Sequence, residues 1–216
     1  MAKPMAEEKK QLRAILKESR EALSAERAAA LSAGVQARLI AAEFYQAAQA
    51  VVLYAAVENE VATDLILTDV LRTGRKVYYP RLGPTRRDIL LAPVHNAAEL
   101  KPGAYGIPEP PADGAIAPAA LGPALICVPG LAFSPAGARL GRGGGYYDRL
   151  LAQVNAETLT VGIAYSFQVL DSLPESPHDR RLHFVVTEFA AHAAAKLSSA
   201  SRTRIDRGGT PRCLNC

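Results

Sequence analysis

Residues 128–151 read VPGLAFSPAGARLGRGGGYYDRLL, with glycines at positions 130, 137, 141, 143, 144 and 145. The last four fall within five residues and are interrupted only by Arg142. Ahead of them, Ala124-Leu125-Ile126-Cys127-Val128 is an apolar run that predicts a buried strand. Behind them, Tyr146-Tyr147-Asp148-Arg149-Leu150-Leu151 predicts the first turns of a helix, so the glycines occupy a strand-to-helix loop. Glycine accepts φ > 0, which lets successive N–H groups converge on one point as an anion-binding nest. A helix that follows adds unpaired N–H donors and the positive end of its dipole. Arg139 and Arg142 bring full charges that fork onto phosphate oxygens. Asp148 would repel such an anion unless a cation stood between them, and Mg²⁺ is bound by one or two carboxylates together with phosphate oxygens. The stretch therefore reads as a Mg-nucleotide site. A flexible surface turn, the competing reading, leaves the two arginines and the Tyr-Tyr-Asp without a purpose. Neither GxxxxGK[ST] nor GxGxxG is present, which disfavours a P-loop and a dinucleotide oxidoreductase.

The chain around this loop has 216 residues, 49% hydrophobic and 21% charged, as expected of one soluble globular domain with a real core. It lacks both an apolar run long enough to span a membrane and the h-region of a secretory signal. Three cysteines make no disulfide framework, and Cys127 in its apolar run is expected to be buried and inert. A reducing cytoplasm is the natural setting. The net charge of +4 is confined to residues 196–216, where five cations face Asp206 alone. The remainder is neutral, which argues against a nucleic-acid-binding surface. We expect a body over residues 1–189 and a basic, disordered tail over 190–216. The terminal Cys213-Leu214-Asn215-Cys216 is short of two further ligands for a zinc site.

Leu12, Ile15, Leu16 and Leu23 predict an amphipathic helix over residues 7–22, with Lys9, Lys10 and Arg13 near its start. Cations there oppose the helix dipole, so they are either a solvated face or contacts to an anion. Ser24 is the predicted N-cap of a second helix, which reaches about residue 42. A strand at 51–55, a helix at 63–72 ending near Gly74 and a strand at 77–80 form a βαβ unit with parallel strands. Further strands are expected at 89–92, at an edge because Pro93 follows, and at 159–165 and 184–187. Ligands in open α/β sheets bind beyond the carboxyl ends of the strands, and the loop after the first strand holds Glu58 and Glu60. Glu60 is either a ligand contact or a helix N-terminal carboxylate facing the dipole.

PGLAFSPAGARLGRGGGYYDRLL resembles the signature of the 5-formyltetrahydrofolate cyclo-ligase (5,10-methenyltetrahydrofolate synthetase) family, and the resemblance runs over about residues 7–188. It implies a three-layer, Rossmann-like α/β sandwich with a mostly parallel central sheet. It implies ATP contacts from Lys9 and Arg13, which match the family's Lys-x-x-x-Arg, and from Arg139, Gly141, Arg142, Gly143, Gly144, Gly145, Tyr146 and Tyr147. Arg139 and Arg142 are also the implied catalytic pair. Glu60-Val61-Ala62-Thr63 is similar to the family's substrate loop, with Ala62 in place of its acidic residue. Gly106, Ile107 and Glu109 match a Gly-Ile-x-Glu-Pro segment. Val57, Glu60, Gly106, Ile107, Glu109, Arg142 and Tyr146 are accordingly the implied folate contacts. Tyr146 and Tyr147 suit either a flat ring or the core. Asp148 and Asp179 are the implied Mg²⁺ ligands; Mg²⁺ prefers oxygen, so His178 is assigned a structural role. The implied reaction is ATP- and Mg²⁺-dependent cyclisation of 5-formyltetrahydrofolate to 5,10-methenyltetrahydrofolate, through a phosphorylated formyl group, by a cytoplasmic monomer. The alternatives are a paralogue with the same ATP site and another substrate, and a folate- or nucleotide-binding protein without turnover.

Overall fold

A computed structural model describes residues 2–85, 88–103, 106–176 and 179–194. In chain order the elements are α1 (Ala2–Glu21), α2 (Ala25–Ile40), α3 (Glu43–Gln46), β1 (Ala50–Val52), α4 (Asp64–Arg72), β2 (Lys76–Leu82), β3 (Ile89–Pro93), β4 (Lys101–Pro102), β5 (Pro108–Glu109), β6 (Leu125–Val128), β7 (Ala132–Phe133), β8 (Arg139–Leu140), α5 (Tyr146–Leu151), β9 (Leu159–Ile163), β10 (Phe184–Val186) and β11 (Ala191–Ala193). Seven strands form one sheet in the order β11-β10-β9-β6-β1-β2-β3. The inner pairings are parallel, and the two edge strands, β3 and β11, run antiparallel to their neighbours. The architecture is thus the expected α/β sheet, mostly parallel, with β3 at the predicted edge.

Side chains alternate between faces along each strand, and the core divides accordingly. Val51, Leu53, Leu125, Cys127 and Val161 pack against Leu31, Val35 and Leu39 of α2 and Ile66 and Val70 of α4. Val52, Ile126, Val128 and Val185 point the other way, onto Leu150 and Leu151 of α5 and onto Phe133. Burying a side chain of this kind contributes about 1.5–3 kcal/mol. Local signals agree with the packing. The Ser24 hydroxyl accepts the Arg27 N–H at 3.2 Å and starts α2, and Gly74 follows the last turn of α4, its N–H on the Leu71 carbonyl. Tyr45 is fully buried, and Phe44 stacks on Phe184 with ring centroids 3.9 Å apart.

Three features depart from the expectation. The glycine-rich stretch is not one open loop. β7 and β8 pair within it as a hairpin, whose turn closes at Gly137 (φ +84°) with its N–H on the Ser134 carbonyl. The body does not stop at residue 189, because β11 pairs with β10 and extends the sheet to residue 193. The rest of the predicted tail, residues 195–216 with Cys213 and Cys216, lies outside the described residues, as do Tyr105 and His178. The segment matching Gly-Ile-x-Glu-Pro, for which no strand was expected, contributes β5, which pairs with β4 as a small separate sheet.

A third apolar cluster positions α1. Leu16 packs with Leu131, Ala132, Ala138, Leu140 and Leu173, and so docks the helix on the β7–β8 hairpin. The chain runs from β1 to β2 on one side and later returns through β6 on the other side of β1. The crevice beyond the carboxyl ends of β1 and β6 is therefore a topological switch point, the usual place for a ligand in such sheets.

Candidate active site at the switch point

The loop after β1 makes a tight turn over residues 57–60, with the Glu60 N–H on the Val57 carbonyl at 3.0 Å. Its central residues, Glu58 and Asn59, both have positive φ (51° and 56°), the pattern of a type I′ turn. For a glutamate this conformation costs about 1–2 kcal/mol. The turn is held from outside. Asn59 Nδ2 donates to the Arg20 and Leu23 carbonyls at 3.3 and 3.1 Å, tying it to the end of α1. The Glu60 carboxylate accepts the Val57 N–H at 3.2 Å.

Four charges meet above this turn. Arg142, from the loop after β8, places Nη1 3.0 Å from Glu58 Oε2 and Nη2 2.9 Å from Glu60 Oε1. Arg20 of α1 approaches the same two oxygens from the other side, Nη2 at 3.5 Å and Nη1 at 3.6 Å. Side-chain exposure separates the partners: 43% for Arg142 and Glu58, 8% for Glu60 and 1% for Arg20. Arg20 Nε and Nη1 are buried without a hydrogen-bond partner. Burial works against the charged form of Arg142, but the Glu60 and Glu58 carboxylates outweigh it and hold its proton more tightly than usual. Arg13, Lys17, Arg20 and Arg142 line a cleft of about 380 Å³ beside this cluster, with Glu58 as the one acid among its lining residues. Such a wall attracts a polyanion.

The glycine loop lies along α1. Arg13 Nε donates to the Gly141 carbonyl at 2.9 Å. Gly143, at φ +101°, carries the chain past the Arg13 guanidinium in a conformation few other residues adopt. Two more ion pairs flank it. Arg139 Nη2 meets Asp148 Oδ1 at 2.7 Å, with the Arg139 side chain only 5% exposed and its Nε buried and unpartnered. Lys9 Nζ donates to Asp179 Oδ2 at 2.7 Å and to Ser176 Oγ at 2.8 Å. Burial raises the Asp179 carboxyl, but the Lys9 hydrogen bond, the Ser176 N–H and the charges of Lys9 and Arg139 prevail, and its pKa falls below the ordinary carboxylate value. Asp148 Oδ2 and Asp179 Oδ1 have no hydrogen-bond partner among the described residues.

On the opposite flank, Tyr146 and Tyr147 begin α5, edge to face at 5.5 Å. Both pack partly against the core, so each carries the structural half of its two expected roles. Burial raises the Tyr146 hydroxyl, and the negative charge of Glu109 on β5 adds to it. Ile107, next to β5, is 38% exposed, and Gly106 has open space around it.

Comparison with known proteins follows the same outline. The model of the 5-formyltetrahydrofolate cyclo-ligase family matches residues 5–188. The chain belongs to the 5-formyltetrahydrofolate cyclo-ligase family. It is 30% identical to the 5-formyltetrahydrofolate cyclo-ligase of Mus musculus, over 83% of this chain and 93% of that protein. It is also 30% identical to the enzyme of Escherichia coli K12, over 80% of this chain and 96% of that one. The NMR structure of Aquifex aeolicus 5,10-methenyltetrahydrofolate synthetase superposes with a TM-score of 0.76 at 34% identity, covering 91% of this chain and 99% of that one.

Among the positions that the cyclo-ligase resemblance singles out, the fold joins Arg142 to Glu60, Arg13 to Gly141 and Gly143, Lys9 to Asp179, and Arg139 to Asp148. Asp148 and Asp179 are each bound to a cation, and no group of three or more His, Cys, Asp or Glu stands together among the described residues. Sequence reasoning missed Arg20 and Lys17. Arg20 was within reach of it: Leu12 and Leu16 mark the buried stripe of α1, and Arg20 lies four residues on, in phase with them. A charged residue on a buried stripe requires a partner.

Proposed function

We propose that this chain closes 5-formyltetrahydrofolate to 5,10-methenyltetrahydrofolate and cleaves ATP to ADP and phosphate in doing so. The observation that carries the reading is the contact between Arg142 and Glu60. A phosphate held by the one and a pterin held by the other would be neighbours, as transfer between them requires. The orphaned Nε of Arg139 and the cationic cleft suit a polyphosphate.

The chemistry follows from the substrate. A formyl group on nitrogen is an amide, stabilised by the resonance that gives amide rotation a barrier of ~18–20 kcal/mol. Its oxygen is a poor leaving group. In the proposed sequence that oxygen attacks the γ-phosphorus, and the bond to the β,γ-bridging oxygen breaks to release ADP. N10 then adds to the activated carbon and loses its proton, and phosphate departs with the former formyl oxygen. No side-chain nucleophile is required, and the residues serve by position and charge. Arg142, Arg13 and Lys9 hold phosphate oxygens. Glu60 accepts pterin N–H groups, Tyr146 covers a ring, and Ile107 and Glu109 close the folate side. The free oxygens of Asp148 and Asp179 suit a hard cation that takes its remaining ligands from phosphate and water. Mg²⁺ held there supplies charge neutralisation on the transferred phosphoryl group.

The test is to mix the purified protein with 5-formyltetrahydrofolate, ATP and Mg²⁺ and follow the near-ultraviolet absorbance of the methenyl product. A rise that needs both ATP and Mg²⁺ is expected. Bound ATP with no rise would transfer the reading to a paralogue with another acceptor.

A further inference from the structure

Glu58 and Glu60 occupy Nη1 and Nη2 of Arg142, the same edge that forks onto a phosphate. On the reading proposed above, it leaves Glu58 and Glu60 when nucleotide binds. Two carboxylates would then share the crevice, one of them in a side chain only 8% exposed, and a buried carboxylate without a counter-charge is strongly disfavoured. We propose that Arg20 is a positioning residue: it is the resident counter-cation that keeps the Glu58–Glu60 turn charged and aimed at the folate while Arg142 serves the nucleotide.

The geometry separates the two arginines by task. They share the same two oxygens, Glu58 Oε2 and Glu60 Oε1, but Arg142 holds them at 3.0 and 2.9 Å and Arg20 at 3.5 and 3.6 Å. The tight partner is the exposed one, on a glycine-flanked loop. The loose partner is 1% exposed, fixed on a helix, and has Nε and Nη1 without a hydrogen bond. A buried guanidinium whose Nη1 and Nη2 already face the carboxylates stands ready to replace Arg142 as their donor, a few tenths of an ångström beyond close hydrogen-bond distance. The backbone is registered to suit, because Asn59 Nδ2 caps the carbonyl of Arg20 itself. Arg20 touches the reacting groups only through Glu60.

Two measurements test this. The first is a double-variant cycle on thermal stability with Arg20→Gln and Arg142→Ala. Each single variant leaves one cation on the pair, so the double variant should melt about 2–8 °C lower than the summed losses predict. Additive losses would overturn the proposal. The second is steady-state kinetics of Arg20→Gln. KM for 5-formyltetrahydrofolate should rise about ten- to a hundredfold while KM for ATP stays within about twofold, with part of the loss restored in Arg20→Lys. Equal increases in both KM values, or none, would show that Arg20 is merely structural. If Arg20→Gln fails to fold, Arg20→Lys takes its place in both experiments, with the same signs and smaller shifts. A wild-type protein without turnover would defeat the functional reading instead, and the stability cycle would still decide the charge sharing.

Discussion

Two charge clusters lie at different places in this fold and are built differently. At the end of α4, Asp69 accepts the Tyr45 hydroxyl at 2.8 Å, Arg72 Nη2 at 2.7 Å and Arg75 Nη2 at 2.8 Å. Arg75 also donates to the Tyr45 carbonyl at 2.8 Å and to Thr73 Oγ1 at 2.9 Å, and lies 4.4 Å from the Tyr45 ring centroid. No buried donor of this cluster is left over. At the switch point, by contrast, two arginines compete for two carboxylate oxygens, the turn beneath is strained, and Arg20 keeps two buried donors unpaired. A cluster that is complete in itself stabilises the fold. A cluster with unmet hydrogen-bonding capacity is suited to a ligand.

Substitutions should divide along that line. Asp69→Ala leaves Arg75 and the Tyr45 hydroxyl without their acceptor in a side-chain environment only 11% exposed, and should destabilise the protein by about 3–5 kcal/mol in urea unfolding, with kcat unchanged at temperatures where it stays folded. Arg142→Ala should do the reverse. We expect kcat/KM to fall on the order of 10²–10³-fold, while the melting temperature moves little because Arg20 remains on the glutamates. A large loss of stability there would erase the contrast between the clusters. Asp148→Asn is expected to lose most of the activity and keep the fold, and an unchanged turnover at saturating Mg²⁺ would remove Asp148 from the metal site. The smallest effect concerns pH. Burial raises the Asp69 carboxyl, but Tyr45, Arg72 and Arg75 outweigh it and set its folded pKa below the ordinary 3.8. Its contribution is therefore whole above pH 3.8 and is lost as pH falls toward the depressed folded value. The stability gap between wild type and Asp69→Ala, followed by urea titration, should stay constant from neutral pH to that point and shrink below it. A gap that shrinks already near neutrality would contradict this cluster's composition.

How much of this could be read from the sequence depended on how locally each feature is encoded. The strands at 125–128, 159–163 and 184–186 are apolar runs bounded by turn residues, and each forms where expected because burial on both faces demands that pattern. The β7–β8 hairpin was missed because two-residue strands carry no periodicity, and a glycine at φ +84° is legible only once its turn is known. β11 was missed because Ala191-His192-Ala193 has no apolar alternation, and its pairing with β10 supplies the structure. In the candidate site, the glycine loop announced Arg139 and Arg142, but the sequence offered them to a phosphate. That Arg139 is paired with Asp148 and Arg142 with Glu60 is long-range geometry, set by the switch point and by the docking of α1 through Leu16. Asn59 held an unread signal, since asparagine is among the few residues that favour positive φ in a type I′ turn.

The central claim, that ATP cleavage and folate ring closure occur together at this crevice, is met most directly by counting products. Wild-type protein and Arg142→Ala would be incubated with 5-formyltetrahydrofolate, ATP and Mg²⁺, and ADP and the methenyl chromophore measured in the same samples. The account predicts equal amounts of ADP and methenyl product from wild type, and loss of both in a still-folded Arg142→Ala. ADP released without the chromophore, or an Arg142→Ala protein as active as wild type, would contradict it.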